Sequence, residues 1–259
     1  MKKLIVLLVL FPCVLFAAKK SKFSEYKVEE FEFEGHEAKV VFPHKANEKR
    51  NWIWRARFWG HQPQLDKALL QKGFHVVYVD VADLFGSDKA VNLWDHFYEY
   101  CQRKYRLSQK VVLEGMSRGG LIVYNWASQN THRVASIYAD APVCNIKSWP
   151  AGLYESEGSE RAWLLCQQVY GLDTKEKVAQ YKEGPIYNSA LLAKAKVPVI
   201  HVYGDVDVVV PYAENTALVE EQYRKHGGVM KVIKKEGVGH HPHCLVDPTP
   251  IVDFILKHL

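Results

Sequence analysis

Apolar and polar positions form two different patterns along this chain, and segments with one pattern alternate with segments that have the other. Short, almost continuous apolar runs such as residues 74–80 and 110–114 are typical of strands buried on both faces. Residues 63–72 and 250–259 instead repeat their apolar positions every three or four residues, which predicts amphipathic helices. The predicted strands cover residues 28–33, 38–42, 52–57, 74–80, 110–114, 134–140, 197–203 and 230–235. The predicted helices cover residues 63–72, 88–105, 121–129, 213–225 and 250–259.

This order of elements predicts an α/β protein. Strands that alternate with helices form a mostly parallel sheet with helices on both faces, and the first two strands are expected to form a hairpin. Residues from about 145 to 188 break the rhythm, because they are helical, polar and aromatic. We expect this segment to be an insertion that lies over the sheet.

The N-terminus has the pattern of a secretory signal peptide. Lys2 and Lys3 precede an apolar run over residues 4–18, which ends in the small residues Ala17 and Ala18. The run is shorter than the roughly 20 residues that a membrane-spanning helix needs. We therefore expect residues 1–18 to be removed and residues 19–259 to form an exported, periplasmic or secreted domain. No stable membrane insertion is expected after cleavage.

Composition and charge narrow the class of partner. Hydrophobic residues make up 48% of the 259 residues and charged residues 24%, as in ordinary globular proteins. The formal net charge is +5, two positive charges of which lie in the signal segment, and no Lys/Arg run is interleaved with aromatics. Nucleic acid is therefore not an expected partner. An oxidising compartment would allow up to two disulfides, in three possible pairings, among four cysteines: Cys101, Cys144, Cys166 and Cys244.

A candidate nucleophile lies between a predicted strand and a predicted helix. Residues 115–119 read Gly-Met-Ser-Arg-Gly, a G-x-S-x-G pattern at a strand–turn–helix junction. Such a turn lifts the Ser117 hydroxyl above the sheet, and small residues at 115 and 119 let the backbone crowd there. The following helix directs free N–H groups and the positive end of its dipole at the same point.

A serine nucleophile needs a base, and the base needs a carboxylate. Asp205 and Asp207 both follow the strand at 197–203, and the residues alone leave the choice between them open. His240 lies in the loop after the strand at 230–235, from which a side chain can fold back over the sheet to Ser117.

The histidines of this last loop also allow a rival interpretation. A metal site could be built from His240, His241, His243 and Cys244. No partner CxxC or HExxH pattern exists in the chain, and Pro242 is expected to restrict convergence of these side chains. No metal and no cofactor is therefore predicted.

The chain order Ser, Asp, His resembles that of the α/β-hydrolase superfamily. The resemblance covers nearly the whole mature chain, and it implies a doubly wound, mostly parallel, eight-stranded sheet with a cap inserted after the sixth strand. It also implies Ser117 as nucleophile and His240 as base. The family's G-x-x-D-x-x-V pattern falls on Gly204, Asp207 and Val210, which favours Asp207 as the acid.

The loop expected to complete the oxyanion hole departs from the family pattern. Many members carry His-Gly after the third strand, whereas residues 54–61 here read Trp-Arg-Ala-Arg-Phe-Trp-Gly-His. The first oxyanion donor is expected to be the backbone N–H of Arg118. The second is expected from this loop, at Arg57 or Phe58.

These residues together predict an exported serine hydrolase that cleaves a carboxylic ester through an acyl-enzyme. The alternatives are a serine peptidase of the oligopeptidase type and a non-catalytic binding protein on the same fold. Trp149 and Trp59 are the predicted substrate-binding residues, because indole faces suit sugar rings, and Trp54 and Trp163 are also expected near the cleft. The expected substrate is a small-molecule or saccharide ester.

Overall fold

A computed structural model describes residues 22–259, so the predicted signal peptide lies outside the described residues. Eight strands form one sheet in the order β1-β2-β4-β3-β5-β6-β7-β8. Antiparallel pairing joins β1 to β2 and β2 to β4, and every other neighbouring pair is parallel. The strands are β1 (Lys27–Phe33), β2 (His36–Phe42), β3 (Trp52–Arg55), β4 (His75–Val79), β5 (Val111–Met116), β6 (Val134–Asp140), β7 (Val199–Gly204) and β8 (Met230–Lys235). The predicted α/β fold with an eight-stranded, mostly parallel sheet is confirmed.

The described part of the chain contains eight α-helices. They are α1 (Gln64–Gln71), α2 (Asp88–Tyr105), α3 (Gly119–Gln129), α4 (Glu160–Tyr170), α5 (Lys175–Gln180), α6 (Pro185–Lys194), α7 (Thr216–Lys225) and α8 (Thr249–Lys257). The hydrophobic core on one face of the sheet packs against α2, α3, α6 and α7, and the core on the other face against α1 and α8. Among these described residues, no helix has both the length and the apolar character needed to cross a bilayer.

The burial of each strand follows its place in the sheet. Every residue of β3, β4, β5 and β6 is buried, because helices cover both faces of the central strands. The edge strands β1 and β8 contain no fully buried residue and alternate between more and less exposed positions. The continuous apolar runs and the alternating runs of the sequence therefore correspond to central and edge strands respectively.

Several predicted elements differ from the observed ones by one to three residues at an end, and two of these differences have an evident structural cause. The third strand stops at Arg55 rather than at residue 57, because the chain turns there into a loop whose Arg57 lies against Gly119. The predicted helix over 213–225 is interrupted at Asn215, which follows a short 3₁₀ turn and has φ −131° and ψ −88°. The Asn215 side-chain oxygen accepts hydrogen bonds from the backbone N–H groups of Cys144 and Asn145, at 2.9 and 3.1 Å. This contact ties the start of α7 to the segment that leaves β6.

The insertion between β6 and β7 carries α4 and α5, whereas α6 packs against α3 and α7 in the main layer. A separate apolar cluster joins the insertion to the body through residues such as Phe85, Val143 and Cys166. Cys101, Cys144, Cys166 and Cys244 are all buried free thiols, so neither of the two disulfides that an oxidising compartment would allow is present among the described residues.

Candidate active site

Ser117 lies on a tight turn between β5 and α3. Its φ is 49°, in the left-handed region, and its backbone N–H donates to the Asp140 carbonyl at 2.9 Å. Glycine is required around it. A β-carbon at Gly120 would lie 2.7 Å from Pro142 Cβ and 2.8 Å from the Val143 carbonyl oxygen, and one at Gly115 would lie 3.1 Å from the Gly119 carbonyl oxygen. The G-x-S-x-G-G run is therefore explained by close approach of backbone on both sides of the serine.

Three loops at the carboxyl ends of β5, β7 and β8 bring Ser117, Asp207 and His240 into one hydrogen-bonded chain. Ser117 Oγ lies 2.9 Å from His240 Nε2, and His240 Nδ1 lies 2.8 Å from Asp207 Oδ2. In the tautomer with the proton on Nδ1, the histidine donates to the aspartate and its Nε2 accepts from the serine hydroxyl. This is the arrangement that a base needs to remove the serine proton.

Asp207 is buried and fully hydrogen-bonded. Its Oδ1 accepts from the backbone N–H groups of Val209 and Val210, at 2.9 and 2.8 Å. Burial alone would raise the pKa of this carboxyl, but the hydrogen bond from His240 and the two backbone N–H bonds outweigh burial and hold the pKa below its usual value. Asp207 is therefore a carboxylate at neutral pH.

Asp205, the other candidate acid, links two loops. Asp205 Oδ1 accepts from the backbone N–H of Gly237 at 2.7 Å, which joins the loop after β7 to the loop after β8. Only Asp207 of the two contacts His240. The contact with His240 is thus made by the aspartate that the family pattern favours.

The loop after β3 lies against the first turn of α3. A β-carbon built on Gly119 would be 3.3 Å from Arg57 Cβ and 3.8 Å from the Arg57 backbone nitrogen. Arg118, the predicted first oxyanion donor, directly precedes α3. The guanidinium groups of Arg57 and Arg118 make long ion pairs, 3.8 Å to Asp80 and 3.7 Å to Asp83.

Arg55 is a positioning residue that the sequence analysis missed. Its side chain is fully buried, and its Nη1 donates to Asp66 at 2.6 Å and to Glu114 at 3.1 Å. Its Nε lies 3.2 Å from the carbonyl oxygens of both Arg57 and Phe58, and its Nη2 donates to the carbonyl of His61. One guanidinium thus holds the backbone of the loop that lies against the first turn of α3. The sequence feature that could have revealed this role is a charged residue inside an otherwise apolar predicted strand, because a charged side chain is buried only where it is paired.

The predicted substrate-contacting tryptophans differ in their surroundings. Trp54 is fully buried and stacks on Trp94, with ring centroids 3.9 Å apart, so the expectation that it lies near the cleft is wrong. Its place on a central strand explains this. Trp59 is half-buried against Phe23 and Tyr78.

Trp149 packs in the apolar cluster that joins the insertion to the body of the molecule. Its ring stacks on Phe85 with centroids 6.4 Å apart, and Phe85 in turn lies 5.7 Å from the Arg118 guanidinium carbon. Trp163 is half-buried and packs in the same apolar cluster.

The histidines that follow His240 converge on it. One possible ligating nitrogen from each of His240, His241 and His243 lies within 4.8 Å of those from the other two. The expectation that Pro242 would keep these side chains apart is therefore wrong. His243 is buried, and its Nδ1 lies 2.7 Å from Asp140 Oδ1, which anchors the loop beside Ser117.

Solved structures with the same fold include peptidases and a lipase. An acylaminoacyl peptidase from Pyrococcus horikoshii has a TM-score of 0.66 and 13% identity over 90% of this chain and 42% of that one. A putative dipeptidyl aminopeptidase IV from Bacteroides ovatus has a TM-score of 0.66 and 12% identity over 90% of this chain and 36% of that one. A putative lipase from Acinetobacter baumannii has a TM-score of 0.60 and 14% identity over 92% of this chain and 93% of that one.

These neighbours are α/β hydrolases, and this chain has the α/β-hydrolase fold. The chain spans about two fifths of the length of the two peptidases and nearly all of the putative lipase. At 12–14% identity, the likeness shows a shared fold. No protein-family model and no curated protein sequence matches the chain.

Proposed function

We propose that this protein is an exported serine hydrolase that cleaves carboxylic esters, with short acyl groups on saccharides as its substrate class. The observation that carries the proposal is the hydrogen-bonded chain from Ser117 through His240 to Asp207, with atom separations of 2.9 and 2.8 Å. Export is inferred from the signal-peptide pattern of residues 1–18.

The reaction proceeds through an acyl-enzyme. Ser117 Oγ attacks the ester carbonyl carbon as His240 Nε2 takes the hydroxyl proton, and the resulting oxyanion accepts hydrogen bonds from the backbone N–H of Arg118 and of the Arg57 loop. The tetrahedral intermediate then expels the alcohol, which takes the proton from His240. Water attacks the acyl-enzyme by the same route, and Ser117 is released with the free acid.

The surroundings of the nucleophile favour a short acyl group. A small cavity beside Arg118, the residue that follows Ser117, is lined also by Arg57, Phe85 and Gly119 and by no triad residue; its volume of about 10 Å³ is room for one water molecule. A larger, mostly apolar cavity of about 690 Å³ lies in the inserted segment, between Leu153, Trp163 and Val178, and no triad residue lines it. A long acyl chain would need a continuous apolar channel that starts at the serine.

Acyl-length dependence tests the proposal. We expect kcat/KM for p-nitrophenyl acetate and for acetylated saccharides to exceed that for p-nitrophenyl octanoate, and aminoacyl-p-nitroanilides to be cleaved far more slowly. Ser117→Ala should retain its Tm but lose ester turnover by about 10⁴-fold or more, together with labelling by a fluorophosphonate probe. Activity that rises steadily beyond about eight carbons, or faster cleavage of the anilides, would contradict the ester assignment in favour of a lipase or a peptidase.

A variant of Trp149 tests the proposed preference for saccharide esters. Its indole is half-buried, and it reaches the nucleophile's surroundings through Phe85. A flat aromatic face binds the C–H groups of a sugar ring at small entropic cost. Trp149→Ala should therefore raise KM for an acetylated saccharide several-fold more than KM for p-nitrophenyl acetate. Trp163→Ala in the same apolar cluster is the matched control. An equal loss on both substrates would mean that Trp149 only packs the insertion.

A further inference from the structure

We propose that His240, His241 and His243 bind a transition-metal dication such as Zn²⁺, and that the bound ion withdraws His240 from Ser117 and reversibly blocks the active site.

The three imidazoles form one compact cluster. Their ring centroids are 4.8 Å apart for His240 and His243, 4.8 Å for His241 and His243, and 5.0 Å for His240 and His241. The ring of His61 borders the cluster, 6.0 Å from His243 and 6.1 Å from His241. Imidazole nitrogens are favoured ligands of zinc, copper and nickel. The cluster therefore supplies three ligands of the right type, with a fourth imidazole beside them.

Two of the three imidazoles are already oriented as metal ligands are. His240 Nδ1 lies 2.8 Å from Asp207 Oδ2, and His243 Nδ1 lies 2.7 Å from Asp140 Oδ1. A carboxylate at one ring nitrogen places the proton there and leaves the lone pair on the other nitrogen, as in the carboxylate–histidine–zinc arrangement of metalloproteins. A catalytic triad requires only the first of these two pairs.

The buried side chain of His243 also points to a bound ligand. Its Nε2 is buried and has no hydrogen-bond partner among the described residues, although the side chain is only about 1% exposed. A buried imidazole nitrogen without a partner costs free energy, and a metal ion would satisfy it. Nothing in the triad uses this atom.

Metal binding requires a small movement. Ligand nitrogens at about 2.0–2.1 Å from a tetrahedral zinc are about 3.3 Å from one another, whereas those of the cluster spread over up to 4.8 Å. The exposed side chain of His241 can rotate toward the other two, and small shifts of His240 and His243 complete the approach. A coordinate bond then forms at His240 Nε2, and the hydrogen bond from Ser117 Oγ to that nitrogen breaks. No electron transfer is involved, and chelation of the ion reverses the step.

The inhibition rests on the proposed hydrolase function, whereas the binding of metal does not. The experiment therefore measures binding and inhibition separately, on tag-free protein stripped with EDTA. Calorimetric titration with Zn²⁺ should give one site per chain with micromolar or tighter affinity. Zn²⁺ should also slow labelling of Ser117 by a fluorophosphonate and abolish ester turnover, and excess EDTA should restore both.

His241→Ala should weaken Zn²⁺ binding and raise the half-inhibitory Zn²⁺ concentration by about tenfold or more, each variant being compared with its own rate in EDTA. His132→Ala is the matched control, because His132 is an exposed histidine at the opposite end of β6 from Asp140, and its titration should match that of the unaltered protein. Absence of stoichiometric binding, or equal affinity in His241→Ala, overturns the metal site. Stoichiometric binding with undiminished labelling overturns the withdrawal of His240. Absence of any ester turnover with intact Zn²⁺ binding overturns the hydrolase proposal alone.

Discussion

Single residues at the site depend on exact local geometry. Ser117 adopts a left-handed φ of 49°, a conformation that costs a non-glycine residue about 1–2 kcal/mol. Its carbonyl accepts hydrogen bonds from the backbone N–H groups of Gly120 and Val143, at 3.0 and 2.9 Å, and these bonds hold the turn in place. The strain is thus maintained by the surrounding backbone, which keeps the hydroxyl aimed at His240.

The two aspartates after β7 give the sharpest test at this scale. Asp207→Asn should lower kcat by about 10⁴-fold, because an amide no longer holds His240 in the tautomer that accepts the serine proton. Asp205→Asn is the matched control. It keeps an oxygen that can accept from the Gly237 N–H, so kcat should change by less than about tenfold. Steady-state kinetics on p-nitrophenyl acetate measures both, and a reversed order of the two losses would make Asp205 the catalytic acid.

At the scale of elements, the site depends on how closely the loops after β7 and β8 pack. Gly204 ends β7, and a β-carbon there would lie 2.1 Å from the Val238 carbonyl oxygen and 2.4 Å from that of Gly239. The loop that carries His240 therefore rests on a position where no side chain fits. Lys235 also fixes this loop, because its Nζ donates to the Pro242 carbonyl oxygen at 2.6 Å.

Gly204→Ala should displace the His240 loop and lower kcat by about 10²-fold, because a shift of about 1 Å in a catalytic group has effects of that size. Gly239→Ala is the control in the same loop. A β-carbon at Gly239 meets nothing closer than 3.8 Å, so its kcat should stay within about tenfold of that of the unaltered protein. Equal losses in the two variants would mean that Gly204 does not set the position of the loop.

At the scale of the whole molecule, the parallel strands bring the site residues to one edge. Ser117 and His240 are 123 positions apart in the chain, and His240 and Asp207 are 33 apart, yet all three follow the carboxyl ends of parallel strands of one sheet, β5, β7 and β8. Ligand sites of open α/β sheets lie at this edge. The same packing buries two histidines away from the site. Burial lowers the pKa of His201 to about 3, and burial together with the charge of Arg50 lowers that of His75 to about 4.

Stability should therefore depend on pH. Both folded-state pKa values are below the unfolded value of about 6.5, so the unfolded chain binds protons first and the free energy of unfolding falls as pH drops below 6.5. Each histidine contributes up to about 1.4 kcal/mol per pH unit between pH 6 and 5. Urea unfolding at several pH values measures this slope. His201→Gln should reduce the slope of the free energy of unfolding against pH by the contribution of one histidine. His132→Ala, at an exposed position, should leave this slope unaltered. A free energy of unfolding that is flat from pH 6.5 to 5 would refute this account.

Local pattern alone determined the order and type of nearly all the elements, the strand–turn–helix setting of Ser117 and the histidine loop after β8. These features depend on neighbours within a few positions, where hydrophobic periodicity and glycine spacing carry the information. The choice of Asp207 over Asp205 came from a family pattern, and the structure adds the contact that Asp207 makes with His240.

Tertiary structure decided what depends on long-range contact. The sequence could not reveal that Arg55 joins Asp66, Glu114 and the loop backbone, or that Trp54 lies in the core. It also could not reveal that the three histidines converge, because the direction of a loop side chain is set by what packs against it. His243 faces His240 because Asp140, 103 positions earlier at the end of β6, binds its other nitrogen.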